Sequence, residues 1–293
     1  MKLKNFPVAS WLVALVALSA MTVMWSCGSR THEVDTLTVS IPPQKYLLDA
    51  IVGDKMRVNC LLSNGADPET YDPSMSHLIN VENSVAYFQI GGIGFEDAVT
   101  KRIKTSRPDL KIIDTSTGIE FINGTHHGHD ADPHVWTSTA NARIIAHNMY
   151  EAVAGIDPGN ASYYKSNLDK LIAHIDSIDA VIKSDIAVAP SSTFVIWHPS
   201  LSYFARDYGL TQIALGAEHK EASVNELRQQ IDRAKASGAT IMFLQPETDN
   251  RQTAIVNAEL DLPTATINPL SYNWDEQMVS IGKNLATPSS VVP

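Results

Sequence analysis

The sequence predicts an α/β fold in which two βα lobes with parallel sheets are joined by one long linking helix. Three observations support this class. Strand-like and helix-like apolar patterns alternate along the chain, which is typical of parallel sheets covered by helices. Residues 161–186 keep an uninterrupted helical spacing with no Gly or Pro. The chain of 293 residues also exceeds the usual size of one hydrophobic core.

The first 26 residues are predicted to be an export signal of the lipoprotein type. Two lysines precede an apolar run, residues 8–25, which contains no acidic residue. Ser26 ends the segment and Cys27 follows it, and a Cys after a small residue is typical of the lipid-attachment site of a bacterial lipoprotein. An uncleaved membrane anchor and an ordinary secretory signal stay open as alternatives. Each of the three places the remaining chain outside the cytoplasm.

The composition limits the classes of partner. The whole chain has a formal charge of −10 at pH 7, and the signal segment removes two lysines and no acidic residue, so the rest is more acidic still. This balance argues against nucleic acid, because affinity for phosphates comes mainly from basic residues. If Cys27 carries lipid, Cys60 is the only other cysteine. It lies in the apolar run VNCLL, and we expect a buried strand thiol.

The N-terminal lobe is predicted over residues 35–158. Its strand-like segments are TLTVSI, MRVNCLL, VAYFQIGG and LKIIDTS. The segments between them have helical spacing, and they are PQKYLLDAIVGD, SHLINVENS and FEDAVTKRI. A His-rich loop follows the fourth strand, and a further helix is predicted to start near Pro133.

The linking segment is predicted over residues 160–186, with a helix of about seven turns from Ala161 to Ile186. Alternation resumes in a C-terminal lobe, residues 191–288. Its predicted strands are STFVIWH, LTQIAL, TIMFLQ and PTATINP, and its predicted helices are SYFARDYG, SVNELRQQIDRAKASG, residues 253–260 and a last one from Trp274. A continuous helix between the lobes should permit only small relative motion.

Three side chains that can bind metals each follow a predicted strand: Glu69 in GADPETYDP, His134 in DPHVW and His198 in VIWHPSLSYFA. Strand ends are where open α/β sheets bind ligands. Imidazole nitrogen suits Zn²⁺, and carboxylate oxygen suits Zn²⁺ or Mn²⁺. We expect Glu247 as the fourth ligand because of its charge, with Asn268 as the alternative. Two ligands from each lobe would place the metal site at the lobe interface.

Three further histidines, His126, His127 and His129, lie in a polar loop that contains glycine. This composition is associated with loose metal capture. A plain surface loop is the alternative, and the sequence does not decide between the two.

The spaced blocks resemble the zinc/manganese-type solute-binding lipoproteins of bacterial ABC importers over essentially the whole chain after the signal. GADPETYDP resembles the first metal loop of that family, DPHVW the second and HPSLSYFARDYGL the third, while INPLSYNW falls where the last should lie. The resemblance implies two lobes joined by a long helix. It also implies capture of a divalent metal outside the membrane and delivery to a permease that a cytoplasmic ATPase drives. We expect a monomer, anchored through lipid on Cys27.

Two positions depart from the family pattern, and both alter the expected ligand set. The family usually has His where Glu69 stands and an acidic residue where Asn268 stands. His198 favours zinc, because relatives similar to the manganese receptors tend to carry Glu at that place. The resemblance therefore implies Zn²⁺ as the transported ion. A site with two histidines and two carboxylates would also accept Mn²⁺ or Fe²⁺, so a manganese or iron receptor is the alternative.

Two rival classes use the same ligands. An exported zinc-dependent hydrolase would keep an open metal position for water. The sequence has no HExxH, GxSxG or P-loop motif, so we expect that the protein is not an enzyme. A surface adhesin that uses metal only for stability is the second rival. It predicts tight contact with a host or cell-wall partner.

Overall fold

The computed structural model describes residues 34–62, 66, 68, 71–122, 131–216, 223–246 and 251–289. From Asp35 onward the chain forms one compact unit. Two four-stranded parallel sheets, each covered by helices, make up this unit. The predicted α/β class with two lobes is confirmed. The lobe bounds given above stay predictions.

Each sheet has the same strand order, in which the second strand of the lobe pairs with the first, the first with the third and the third with the fourth. All pairs are parallel, so the first residues of the strands share one edge. The strands of the first sheet are β1 (Thr36–Val39), β2 (Arg57–Cys60), β3 (Ala86–Gln89) and β4 (Lys111–Asp114). Those of the second are β5 (Thr193–Ile196), β6 (Thr211–Ala214), β7 (Met242–Leu244) and β8 (Thr264–Thr266).

Within each sheet a helix connects each strand to the next one in the chain, two further α-helices join the two sheets, and one follows the last strand. They are α1 (Pro42–Val52), α2 (Met75–Glu82), α3 (Gly94–Ser106), α4 (Thr139–Ile156), α5 (Ala161–Ile186), α6 (Ser202–Tyr208), α7 (Val224–Ala236), α8 (Arg251–Leu260) and α9 (Trp274–Ala286). Short 3-10 helices lie at Val135–Thr137 and Pro158–Asn160.

One helix begins later than its sequence indicates. The prediction of a start near Pro133 is wrong, because a 3-10 turn comes first and α4 begins at Thr139. Ser138 explains the difference: its hydroxyl accepts from the backbone N–H of Asn141 and so caps α4 at that point.

The long helix α5 spans the residues that the apolar spacing predicts. Its buried stripe packs against α4 of the first lobe and α9 of the second. The stripe consists of Tyr164, Leu168, Leu171, Ile175, Ile178 and Ile182. Because the helix is packed along both lobes, it stiffens their connection.

Cys60 ends β2, as expected from the run VNCLL, and it is partly rather than fully buried. Burial raises the pKa of its thiol to about 12, which makes it unreactive near neutral pH. No helix within the described residues is long and apolar enough to cross a membrane. The predicted signal segment, residues 1–26, and Cys27 lie outside the described residues.

Candidate metal site

His134 and His198 meet across the two lobes, with their Nε2 atoms 3.1 Å apart. His134 precedes the 3-10 helix Val135–Thr137 and is only 4% exposed. His198 stands two residues beyond the end of β5 and is partly buried. Two nitrogens at about 2.0–2.1 Å from one tetrahedral Zn²⁺ would be about 3.3 Å apart. The pair therefore has nearly the spacing that a shared transition metal requires.

Asp132 orients the His134 ring. Its Oδ1 accepts from both the backbone N–H and Nδ1 of His134, each at 2.9 Å. Burial alone would raise the pKa of Asp132, but the hydrogen bonds from His134 outweigh it and hold that pKa below its usual value. A carboxylate on Nδ1 directs the lone pair of Nε2 outward and raises its basicity, as in many metal sites.

Gln245 fixes the backbone on which His198 is carried. Its Oε1 accepts from the His198 N–H at 3.2 Å, and its Nε2 donates to the His198 carbonyl at 3.3 Å and to Ser200 Oγ at 2.8 Å. Gln245 is buried and directly follows β7. The end of one strand thus sets the loop that follows its neighbour, a role that the sequence pattern did not reveal.

The turn after β3 supports the His134 segment. Gly91 and Gly92 have φ values of +82° and +101°, which glycine tolerates best. A Cβ added at Gly92 would lie 3.7 Å from Cβ of Pro133, so the segment packs closely on this turn. The side chain of Glu96 stabilises the turn, because its carboxylate oxygens accept from the N–H groups of Ile90 and Gly91 at 2.8 Å each. No local sequence pattern singles out Glu96 as a residue of the site.

Tyr203 of the second lobe forms hydrogen bonds to Ile122 and Asp132, which flank the His-rich segment on either side. Its hydroxyl donates to the carbonyl of Asp132 at 2.7 Å and accepts from the N–H of Ile122 at 3.1 Å. The N–H of Asp132 also donates to the carbonyl of Ile122 at 2.8 Å. His126, His127 and His129 lie between these positions and outside the described residues.

Two of the five predicted ligand positions, Glu69 and Glu247, lie outside the described residues. Asn268 is exposed, and its Oδ1 accepts from the N–H of Leu270 at 3.0 Å. The described residues contain no group of three His, Cys, Asp or Glu side chains that could hold a metal. The full ligand set therefore stays a prediction.

A family model described as ZnuA, zinc-uptake complex component A, periplasmic, matches residues 37–284. The chain belongs to this family. Its members are periplasmic metal-binding proteins that serve ABC transporters, and they are not enzymes. The resemblance seen in the sequence is confirmed, and the alternative of an exported hydrolase is set aside.

Two relatives of the ZnuA family have different metals in their names. The high-affinity zinc uptake system protein ZnuA of Bacillus subtilis is 22% identical to this chain, and the match covers 94% of this chain and 91% of that protein. The iron ABC transporter substrate-binding lipoprotein MtsA of Streptococcus pyogenes serotype M1 is 23% identical to this chain, and the match covers 86% of each chain.

Solved structures show the same two-lobed fold. A ZnuA deletion mutant with zinc bound superposes with a TM-score of 0.82 at 32% identity, covering 89% of this chain and 100% of that one. FpvC of Pseudomonas aeruginosa in complex with Mn²⁺ superposes with a TM-score of 0.77 at 19% identity, covering 87% and 98%. The second likeness shows the fold alone.

Proposed function

We propose that this ZnuA-family protein captures Zn²⁺ outside the cytoplasm and delivers it to the permease of an ABC importer. The observation that carries the proposal is the 3.1 Å approach of Nε2 of His134 and His198, with Asp132 holding the first ring. Two imidazole nitrogens suit Zn²⁺ better than they suit Mn²⁺, which prefers oxygen. The family description and a zinc-bound relative point to the same ion.

The proposed ligands are Glu69, His134, His198 and Glu247, with Asn268 as the alternative fourth ligand. Glu247 follows β7 after Gln245, the residue that holds the His198 backbone, so its loop starts beside the histidine pair. Asn268 already uses its side-chain oxygen in a local turn. A carboxylate would also contribute charge to a dication, which an amide oxygen lacks.

A manganese or iron receptor is the second candidate. Two carboxylates beside two histidines form a harder site than three histidines do, and harder oxygen ligands favour Mn²⁺ and Fe²⁺. The names of MtsA and of the FpvC complex show that both metals occur among proteins similar to this chain.

The proposed setting is the outer face of a membrane, with lipid on Cys27 and a monomeric protein of two lobes, residues 35–158 and 191–288. Relatives named as lipoproteins support the anchor. The two sheets and the shared helix α5 support the division into lobes.

The deciding experiment is calorimetry of the chelator-stripped chain without its signal, with Zn²⁺ and Mn²⁺ titrated separately and the bound metal counted by mass spectrometry. We expect one tight Zn²⁺ site that weakens about 100-fold or more in His134→Ala and in His198→Ala, since even second-shell losses cost about 10- to 100-fold. His147→Ala is the matched control, because His147 is exposed on α4. A clear preference for Mn²⁺ would favour the second candidate.

Loss of all tight binding would favour the adhesin alternative, which also predicts unchanged metal uptake after deletion of the protein. Unchanged Zn²⁺ affinity in a His134→Ala/His198→Ala double variant would refute the proposed ligands.

A further inference from the structure

A concentration of basic side chains interrupts an otherwise acidic chain. Residues 101–111 contain five of its 22 lysines and arginines and one acidic residue, Asp109. Lys101 and Lys104 lie on the last two turns of α3, and Lys111 begins β4. All three are exposed. Within the described residues none of the three has an ion-pair partner.

The topology brings more basic residues to the same place. Arg57 begins β2 and is exposed, and it pairs in register with the first residue of β1. Lys111 pairs in register with the first residue of β3. Because the strands are parallel, these positions share the amino edge of the first sheet, and α3 ends there as it returns to β4. We name this set the basic edge: Lys55, Arg57, Lys101, Lys104, Arg107 and Lys111.

Acidic residues offset only part of this charge. Asp54 lies 3.4 Å from Lys55, and Asp109 lies 3.1 Å from Arg107. Glu82 pairs instead with Arg102, at 3.3 Å, which is why Arg102 is left out of the set. Asp35 is exposed beside the start of β1. Basic groups therefore still exceed acidic ones at this edge, although the chain as a whole carries −10.

The chain enters the fold in the middle of the basic edge. The sheet order places β1 between β2 and β3, so Thr36 lies between the arginine of β2 and the lysine of β4. Asp35 lies eight positions after Cys27 in the chain. At no more than about 3.6 Å per residue, such a stretch spans at most about 30 Å, so a lipid on Cys27 would keep the edge within that distance of the bilayer.

We propose that the basic edge docks on anionic lipid headgroups. The inference rests on the membrane attachment given under the proposed function, because an anchor on Cys27 holds the edge near the bilayer and an anionic surface attracts lysines and arginines held near it. The acidic remainder of the protein opposes docking little, since charges more than about 8–10 Å away are screened at physiological salt. The docked occupant is the headgroup layer of the membrane that carries the anchor.

Docking in this way sets the orientation of the metal site. His198 follows the carboxyl end of β5, and Pro133 packs on the turn beyond the carboxyl end of β3. The basic edge is at the opposite, amino end of the first sheet. In the docked state His134 and His198 thus face away from the bilayer, toward incoming metal, and delivery to the permease requires the first lobe to leave the headgroups.

The test uses the full chain, residues 1–293, because its apolar run, residues 8–25, is expected to attach it to vesicles whether or not lipid is added. Vesicles of phosphatidylcholine are compared with vesicles that also contain phosphatidylglycerol. Lysines are labelled with a membrane-impermeant amine reagent and quantified by mass spectrometry. We expect Lys101, Lys104 and Lys111 to be labelled several-fold more slowly on the anionic vesicles. At about 1 M NaCl, where the screening length is about 3 Å, this protection should disappear.

Reference lysines are available on other elements: Lys183 on α5, Lys235 on α7 and Lys283 on α9 are all exposed. Their labelling should be the same on both kinds of vesicle. Equal labelling of Lys101, Lys104 and Lys111 on the two kinds of vesicle overturns the proposal.

A pair of charge-matched variants separates the basic edge from net charge. Lys101→Gln/Lys104→Gln/Lys111→Gln should abolish the protection of Lys55, which stays as the reporter. Lys183→Gln/Lys235→Gln/Lys283→Gln removes the same charge from other elements and should leave the protection of Lys55 unchanged. Loss of protection in both variants, or in neither, contradicts the proposal. Zn²⁺ titration of the same samples tests the metal site independently of either result.

Discussion

Trp274 Nε1 donates to the carbonyl oxygen of Trp136 at 2.7 Å, and Trp136 Nε1 donates in turn to the carbonyl of Pro269 at 2.9 Å. Both indoles are buried. Each tryptophan lies between the fourth strand of its own sheet and the body of the next α-helix, at or near the start of that helix. These hydrogen bonds connect the two lobes at Trp136, which is two residues from His134 in the chain. The ring centroids of His134 and Trp136 are 5.2 Å apart.

We expect Trp274→Phe to weaken the contact between the two lobes. The change removes the donor to Trp136 and part of a buried side chain, so the free energy of unfolding should fall by about 2 kcal/mol or more. Zn²⁺ affinity should also fall, because the Trp136 segment carries His134. Denaturant unfolding of the metal-free chain and calorimetry with Zn²⁺ measure the two effects. Met278→Leu, a buried change of similar volume on the same helix, should have a much smaller effect on both.

The sequence predicted local elements well because apolar spacing is a local signal. The stripe from Leu168 to Ile182 marked α5, and alternation marked the strands of both sheets. The bonds that assemble the site are different, since Trp136 and Pro269 are 133 positions apart and Tyr203 and Asp132 are 71 apart. No local pattern specifies such pairs. Their partners are backbone carbonyls, which every residue has.

The metal-capable residues were predicted for another reason. His134 and His198 each follow a strand, and strand ends converge at the carboxyl edge of a parallel sheet. The sequence does not single out Glu96, because it lies within a helix, where Glu usually faces solvent. In the structure it is only 2% exposed and contacts the glycine turn.

Tyr203→Phe should weaken metal binding although Tyr203 is not a proposed ligand. Without the hydroxyl, the carbonyl of Asp132 and the N–H of Ile122 each lose a buried partner, which costs about 1–3 kcal/mol. Asp132 then holds His134 less firmly, and Zn²⁺ affinity should drop several-fold. Calorimetry together with thermal unfolding checks this. Tyr163→Phe, which removes an exposed hydroxyl 3.3 Å from Asp54, should change neither quantity.

Asp132→Asn tests whether the charge next to His134 matters to the metal. The amide oxygen can still accept from the His134 N–H, so the fold should be preserved. The negative charge that raises the basicity of Nε2 is lost, and Zn²⁺ affinity should fall about 10- to 100-fold. Asp109→Asn, at an exposed position in the first lobe, is the control. Equal affinities for the wild type and Asp132→Asn would show that the contact has only a structural role.

Glu96 should make the stability of the metal-free protein fall as pH rises. Burial raises its pKa from 4.5 to about 7, and the hydrogen bonds from Ser40, Ile90 and Gly91 offset only part of that shift. The folded state therefore binds more protons than the unfolded state between about pH 4.5 and 7. The contribution of Glu96 to the free energy of unfolding is greatest below pH 4.5 and is lost as pH rises through 7. At about 1.4 kcal/mol per pKa unit, the change across this window is about 3 kcal/mol.

The measurement is denaturant unfolding at pH 5 and pH 8 in the presence of chelator, for the wild type, Glu96→Gln and the exposed control Glu120→Gln. Glu96→Gln cannot titrate, and its amide can accept only one of the two N–H groups at Ile90 and Gly91. The wild type should therefore exceed Glu96→Gln in stability by more at pH 5 than at pH 8, while Glu120→Gln follows the wild type. A stability difference between wild type and Glu96→Gln that is the same at both pH values would mean that Glu96 stays ionised in the folded protein throughout. The two backbone N–H groups would then outweigh its burial.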